Sequence, residues 1–534
     1  MRRLLVVLAA AAALAAAASL ENVPTDSRLY GDFDLLKTSG LIRSMPSTSR
    51  PWTRAEAARL VAEADSLAGL SRPGLPQRAA LSRLLTEFGE DLPERNKGTG
   101  RRRPVADIAV PEIPGSFARL DVFTRLIADR RQQHLSAGAV LDNRPGDDFA
   151  FYERFELAAW RPEIIEESIP PDSAGRHIPG TRVLPWRNVA TLETEIAYLA
   201  FRIPWLRLEP GRDKFTWGPG YTGSVMLSDV APALDHVQLC ASYRNFKFLS
   251  FTSLLSRWGT KPRFLSAQRI EFSLWHRVTL GGALMDVTSW DNLQPTQLGG
   301  LLNPLIPVYL SEASSGHEGN FLVGWDAVAY LADVKVYGQL FLDNYEFNAL
   351  RVAPQATASQ FGVLWAPNLP VDALLEYTRI MPFTYYHRVH SIMYENYLVP
   401  LGHPLGPDAD QLYASVGVTS TTWLKLDLAA DYTRRGYHNR GDYLRKSYRN
   451  PEDTFYLRQH DEFPTRGWDT LADPDTVIEE VDRTVRLSPG LEVRAFRDLY
   501  VSGSVSLWRS EDYHGVIGLK KNGLDFAVKV EYRY

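Results

Sequence analysis

His387 and His390, in the stretch YYHRVHS, are the nearest approach to a metal-binding pair in this 534-residue chain. A closed zinc site needs four ligands, and neither a cysteine nor a carboxylate cluster accompanies these two. We read them as structural histidines and expect no metal. The run DPDTVIEEVD groups Asp473, Asp475, Glu479 and Glu480 in imitation of a calcium loop, but it lacks the glycine that bends such a loop around its ion. No G-x-S-x-G elbow, phosphate-cradling loop or dinucleotide fingerprint occurs. Spacing alone sets no two carboxylates across a cleft, as glycoside hydrolysis would need. The chain therefore reads as a non-enzyme without cofactors.

A different chemistry has more residues behind it. Trp217, Tyr221, Trp290, Tyr437, Tyr443, Tyr448 and Trp468 fall in long connections between extended segments, close to Arg440, Arg445 and Arg449. Aromatic faces stack on sugar rings and guanidinium forks pair with carboxylates, so these residues suit an acidic polysaccharide. The same residues could equally line a rim or a lumen. WGPG, Trp217 to Gly220, also reads as a tight turn, because glycine and proline set backbone geometry. Formal charge is −4, or −6 without Arg2 and Arg3, which leaves no electrostatic footprint for nucleic acid.

The elements that would position these groups begin with a leader. Residues 1–18 carry two arginines, an apolar run from Leu4 to Ala18 and an A-x-A-like cut before Ser19, the pattern of an exported chain's signal peptide. Residues 19–92 read as a small helical periplasmic unit. Leu29, Phe33, Leu35 and Leu36 recur at helical spacing up to Gly40. Thr53 and Glu56 form a capping-box start ahead of the stripe Ala57, Leu60, Val61 and Ala64, and residues 75–92 supply a third helix. The proline-rich, basic stretch 93–116 reads as a linker. Cys240 is the only cysteine, so no disulfide can form within the chain.

From residue 117 to 534 the period changes to two. In KLDLAADYT, Leu424, Leu426, Leu428, Ala430 and Tyr432 oppose Lys425, Asp427, Asp431 and Thr433. The terminal GLDFAVKVEYRY splits the same way, placing Tyr532 and Tyr534 on the apolar face. Segments of this kind start near residues 117, 133, 148, 189, 204, 237, 246, 264, 279, 321, 334, 358, 371, 411, 422, 480, 499 and 516, eighteen in all. An even antiparallel set with alternating short and long connections implies a transmembrane β-barrel, greasy outside and polar inside, in contact with outer-membrane lipid. The polar faces carry too many charges for the dry core of a soluble sandwich. The phase slip after Ile517 and Leu519 is read as a bulge at Gly523 within the last strand. We expect an all-β fold: an 18-stranded antiparallel barrel, acting as a monomer.

Two stretches carry a family resemblance. GRDKFTWGPGYTGSVMLSDVAPALDHVQLC (residues 211–240) and LEYTRIMPFTYYHRVHSIMYENYLVPLGHPLGPDADQLY (residues 375–413) resemble signature segments of the bacterial capsule assembly Wzi family. RPWTRAEAARLVAEA near the N terminus adds a third. The resemblance implies an eighteen-stranded outer-membrane barrel with a helical periplasmic part, a lectin that attaches capsular or other surface polysaccharide. LLKTSGLI and TRAEAARLVAEA are also similar to S-layer-homology repeats that precede porin barrels. The alternative is therefore a small-solute channel with a periplasmic foot.

Overall fold

The period-two stretches close on themselves in the computed structural model, which describes residues 20–92, 105–109, 117–128, 133–146, 148–160, 190–203, 205–258, 261–289, 319–343, 356–436 except 383, 388 and 398, 467–468, 477–479, 481–495, 499–512 and 518–533. The leader lies outside the described residues, as does most of the expected linker.

The staves of the first half are β1 (Phe117–Ala128), β2 (Gln133–Gly146), β3 (Phe149–Trp160), β4 (Ala190–Ile203), β5 (Leu206–Asp213), β6 (Leu234–Tyr243), β7 (Phe246–Trp258), β8 (Lys261–Leu274) and β9 (Val278–Ser289). Those of the second half are β10 (Gly319–Leu331), β11 (Val334–Asp343), β12 (Thr357–Trp365), β13 (Val371–Ile380), β14 (Ala409–Thr419), β15 (Leu424–Arg435), β16 (Asp482–Arg494), β17 (Leu499–Glu511) and β18 (Lys521–Arg533). Each pairs antiparallel with the next, and β18 returns to β1 from Val528↔Ala128 to Arg533↔Phe123. Closure leaves no open edge, the condition for crossing lipid with strands.

The outward faces are apolar and uncovered. Leu428, Leu507 and Phe526 are 49%, 54% and 49% exposed, while inward neighbours such as Arg269 and Glu376 are sealed off. That is the inverse of a water-soluble sandwich, and it fits an outer-membrane barrel. Trp205, Tyr243, Trp275, Trp365 and Trp423 are exposed at the short-turn end, where an interfacial aromatic girdle belongs. Ala332 and Asp333, with φ of 31° and 55°, form one of the tight turns there.

Two expectations need correction. There is no bulge at Gly523, because β18 pairs with β17 without a shift from Ser510↔Lys521 to Leu499↔Tyr532. The apolar phase changes there because Leu519 belongs to the connection that precedes the strand. Within the expected linker, Ala106–Ala109 is a strand that pairs with the first residues of β1, from Ala106↔Leu120 to Ala109↔Phe117. It occupies the stretch of β1 edge that the end of β18 leaves uncovered.

Ahead of the barrel come α1 (Leu29–Thr38), α2 (Arg54–Ala68) and α3 (Leu75–Phe88). Thr53 caps α2 through a reciprocal capping box with Glu56. Phe33, Leu36, Val61, Ala64, Leu84 and Phe88 form the shared core of the three helices. The unit sits across the short-turn mouth. Gln77 Nε2 donates to Pro367 O at 2.9 Å, Lys37 Nζ to His276 O at 2.9 Å, and Lys247 meets Glu56 at 2.9 Å.

A cation on the outward face tests the membrane assignment. Leu428→Arg should destabilise the barrel by about 2–4 kcal/mol, the cost of an arginine near the bilayer midplane. Denaturant titration of protein folded into vesicles measures it.

Candidate functional site

Polar side chains on the inner wall need partners, and in this barrel protein segments supply many of them. Arg269 on β8 is fully buried. Its Nε lies 2.7 Å from Ser49 Oγ and 3.1 Å from Glu271, and its Nη2 donates to Thr48 Oγ1 at 2.7 Å and Asp326 at 2.6 Å. Ser47 and Thr48 in turn donate to Glu271 and Asp326 at 2.7 and 2.9 Å. The stretch between α1 and α2 is thereby strapped to β8 and β10. A second strap joins Asp34 of α1 to Lys335 on β11 at 2.9 Å, with hydroxyl donors from Tyr221 at 2.8 Å and Tyr330 at 3.2 Å. Burial pushes the Asp34 carboxyl up, but the Lys335 and Arg50 charges outweigh it and hold the group below the usual range.

The connection from β5 to β6 descends into the lumen. Thr216 and Trp217 pair as a short strand with Arg50 and Ser49, and Gly218 N donates to Thr48 O at 2.9 Å. Trp217 is completely buried, with Phe251 edge-on at 5.3 Å and the Arg269 guanidinium 5.9 Å from its ring. The turn that follows hangs on one carboxylate. Glu376 of β13 accepts from Tyr221 N at 2.9 Å, Thr222 N at 3.0 Å, Thr222 Oγ1 at 2.5 Å and Tyr337 Oη at 2.5 Å. Gly218 has φ +125°, and a Cβ there would strike Gln339 and Ser224, so only glycine fits.

The connection from β13 to β14 packs on top. Arg263, 1% exposed on β8, donates to the carbonyls of Ser391, Met393 and Glu395, and to Ser256 O on its neighbour β7. Tyr385 and Tyr394 donate to Val225 O and Met226 O, both at 2.8 Å, and Ser228 N donates to Leu401 O at 2.7 Å. His403 accepts from Leu405 N at Nδ1, so its Nε2 carries the proton and donates to Thr222 Oγ1 at 3.0 Å. Burial, with Arg435 nearby, pushes the His403 pKa down to about 3. The inner faces of β6 to β13 are thus covered by a packed core that includes Phe215, Trp217, Met226, Tyr385 and Tyr394.

The model of the capsule assembly protein Wzi family matches residues 128–516. The chain belongs to the Wzi family. Among solved structures it is similar to Wzi of Escherichia coli, described as an outer-membrane carbohydrate-binding β-barrel involved in group 1 capsule assembly. That likeness has TM-score 0.60 and 16% identity over 96% of this chain and 98% of that one. Pseudomonas aeruginosa OprD (TM-score 0.45, 10% identity, 78% and 95% covered) and OccK5 (0.43, 9%, 78% and 97%) are more distant barrels. Among curated proteins, none matches the sequence.

In this Wzi-family chain the three signature stretches meet one another. The residues after GRD pair with the RPW region, and EYTR supplies Glu376, which holds the turn after WGPG. HPLGPD supplies His403, which donates to Thr222 in that turn. The expected glycan contacts divide accordingly. Trp217 is a correction: with no exposed surface it is a core residue of the lumen, because its ring is enclosed by the wall. Tyr221 is likewise turned inward, bonded to Asp34. Trp290, Tyr437, Arg440, Tyr443, Arg445, Tyr448 and Arg449 lie outside the described residues, as do Asp473, Asp475 and Glu480. Trp468 stands on a short strand, Gly467–Trp468, paired with Val477–Glu479. His387 and His390 lie in the upper plug segment, and no metal-binding group of three or more His, Cys, Asp or Glu occurs among the described residues. Sequence reasoning missed Asp34, Arg263, Arg269, Lys335, Glu376 and His403. Arg263, Arg269 and Lys335 offer one signal, a lone charge on the polar face of a strand, Glu376 and His403 a place in a family motif, and Asp34 none.

Two outcomes follow. Trp217→Ala should cost about 3–5 kcal/mol and make segments 214–233 and 381–408 protease-sensitive, as deleting a buried aromatic does. His403 has a folded pKa below its unfolded value, so its contribution is complete above about pH 6.5 and is lost as pH falls toward about 3. Protection against hydrogen exchange in 381–408, corrected for the intrinsic pH dependence of amide exchange, should fall at about pH 4 relative to pH 7, and His403→Gln should flatten that dependence.

Proposed function

We propose that this chain binds surface or capsular polysaccharide at its outer face and holds it to the outer membrane, as a lectin-like, non-catalytic assembly protein working as a monomer. The observation that carries the reading is the interlocked plug. A barrel built to pass solutes keeps a clear lumen, whereas this one spends Arg263, Arg269, Lys335 and Glu376 on fastening three chain segments across it. Such bracing makes the wall a rigid platform for the outer connections.

Membership in the Wzi family supports the same reading, as does the description of Escherichia coli Wzi as carbohydrate-binding. The contacts we assign to the glycan are Trp290, Tyr437, Arg440, Tyr443, Arg445, Tyr448, Arg449 and Trp468. The strands that precede them in sequence, β9 and β15, end at the mouth opposite the short turns. The aromatic rings and guanidinium groups of these contacts suit a carboxylated sugar.

The test pairs binding with conductance. Shortening residues 437–466 should lower polysaccharide retention on cells by at least about tenfold while the folded barrel persists. Planar-bilayer recordings of the intact protein should show no large steady conductance. A wide open-channel current would favour the small-solute channel instead.

A further inference from the structure

The plug covers β6 to β13, but the opposite wall of the lumen is wet. Between the N-terminal unit and the inner faces of β1 to β3 and β16 to β18 lies a cavity of about 570 Å³. That is within the size range of small-molecule sites. Most charges lining it already have partners. Arg28 meets Glu492 at 3.1 Å and lies over the Tyr500 ring, Arg83 is paired with Asp32, Arg54 with Glu87 and Asp91, and Lys529 with Glu531 at 3.5 Å.

Arg125 is different, and Arg154 beside it has one closed partner, Glu195. Both side chains are more than nine-tenths buried, and both guanidinium groups flank the Phe123 ring, at 5.7 and 5.0 Å. Phe123 in turn lies over Gly138, where a Cβ would come within 2.6 Å of its Cε1. The carboxylates nearest Arg125, on Asp26 and Glu156, both stop at 3.9 Å, beyond hydrogen-bond reach. Arg154 has an ion pair with Glu195 at 3.2 Å. The Arg125 Nε has no hydrogen-bond partner among the described residues, and the Arg154 Nε faces Glu195 in that ion pair without hydrogen-bond geometry. Buried donors left unmade cost free energy, and a guanidinium fork is shaped for a carboxylate.

Asp26 reports the same field. Burial pushes its carboxyl up, yet Arg154, Arg125, Lys529 and Lys214 together hold it below the ordinary range. Its side chain remains 46% exposed to the lumen and does not close on Arg125. It is a tethered carboxylate standing beside a cationic seat without filling it.

We propose that Arg125 and Arg154 form a lumenal binding site for the carboxylate of an acidic saccharide, with Asp26 as a built-in competitor. This rests on the polysaccharide-binding reading above and adds a second site at the periplasmic half of the lumen, specific for uronate-type sugars. The site is distinct from the outer connections, since its residues sit on the wall of β1 and β3 facing the N-terminal unit.

Calorimetric titration of the full mature protein in detergent at low salt tests it, with trigalacturonate, neutral maltotriose and inorganic phosphate as probes. Trigalacturonate should bind, and Arg125→Gln with Arg154→Gln should weaken it at least about tenfold. Asp26→Asn, which keeps every wall residue, should tighten it several-fold. Unchanged affinity in both variants overturns the site, as does equal binding of maltotriose or of phosphate. Polymer retained on cells while trigalacturonate ignores both variants would sink this site alone. Trigalacturonate bound at Arg125 by a protein that retains no polymer would sink the outer-face reading alone.

Discussion

Glu376 is a carboxylate taken out of water and made bearable by four donors. A wall of this kind faces a constraint that a soluble core does not. One side of every strand must be apolar for lipid, so the other side inherits the charges, and each of those needs a partner or water. Around β6 to β13 the partners are protein. Arg263 meets carbonyls, Arg269 meets hydroxyls and carboxylates, and Lys335 meets Asp34. The plug and the wall therefore depend on each other, since removing either strands buried charge in the other.

That dependence explains why the three family stretches are far apart in sequence and adjacent in space. GRD and WGPG lead into the lumen, RPW flanks the strand that pairs with Trp217, and EYTR and HPLGPD fasten the turn from the wall and from above. Their residue types are those of a joint: glycine where backbone approaches wall amides, a buried carboxylate, a neutral histidine. The stretches that look most like a recognition motif thus serve stability, and the proposed glycan contacts lie elsewhere, in the outer connections. Trp217 illustrates the exchange, with an aromatic face suited to a sugar ring but enclosed by Phe251 and Arg269.

The other half of the lumen obeys the same constraint with a different solution. Apart from a few sealed positions such as Thr433 and Ser510, the inner side chains of β15 to β18 are half-buried, and water can satisfy them. Arg125 and Arg154 stand at the border between the two regimes, both too buried to be well hydrated, and Arg125 is too distant from Asp26 and Glu156 to be closed. A lumen divided into a dry brace and a wet pocket combines rigidity with room for a small ligand.

The chain's own alternation determined the wall. Period two carries which face meets lipid, and connection lengths carry which end each strand leaves from, so the eighteen staves and the three helices, one of them capped at Thr53, were legible locally. The last strand was misjudged at Gly523 because local phase does not record where pairing starts. The strand Ala106–Ala109 was missed because only the exposed edge of β1 makes it one. Tertiary structure alone decided which polar wall residues are sealed and by whom. Nothing near Glu376 in sequence announces Thr222, and nothing near Arg263 announces Ser391. Those pairings come from loops that return across the lumen, and burial at such distances is a property of the closed cylinder.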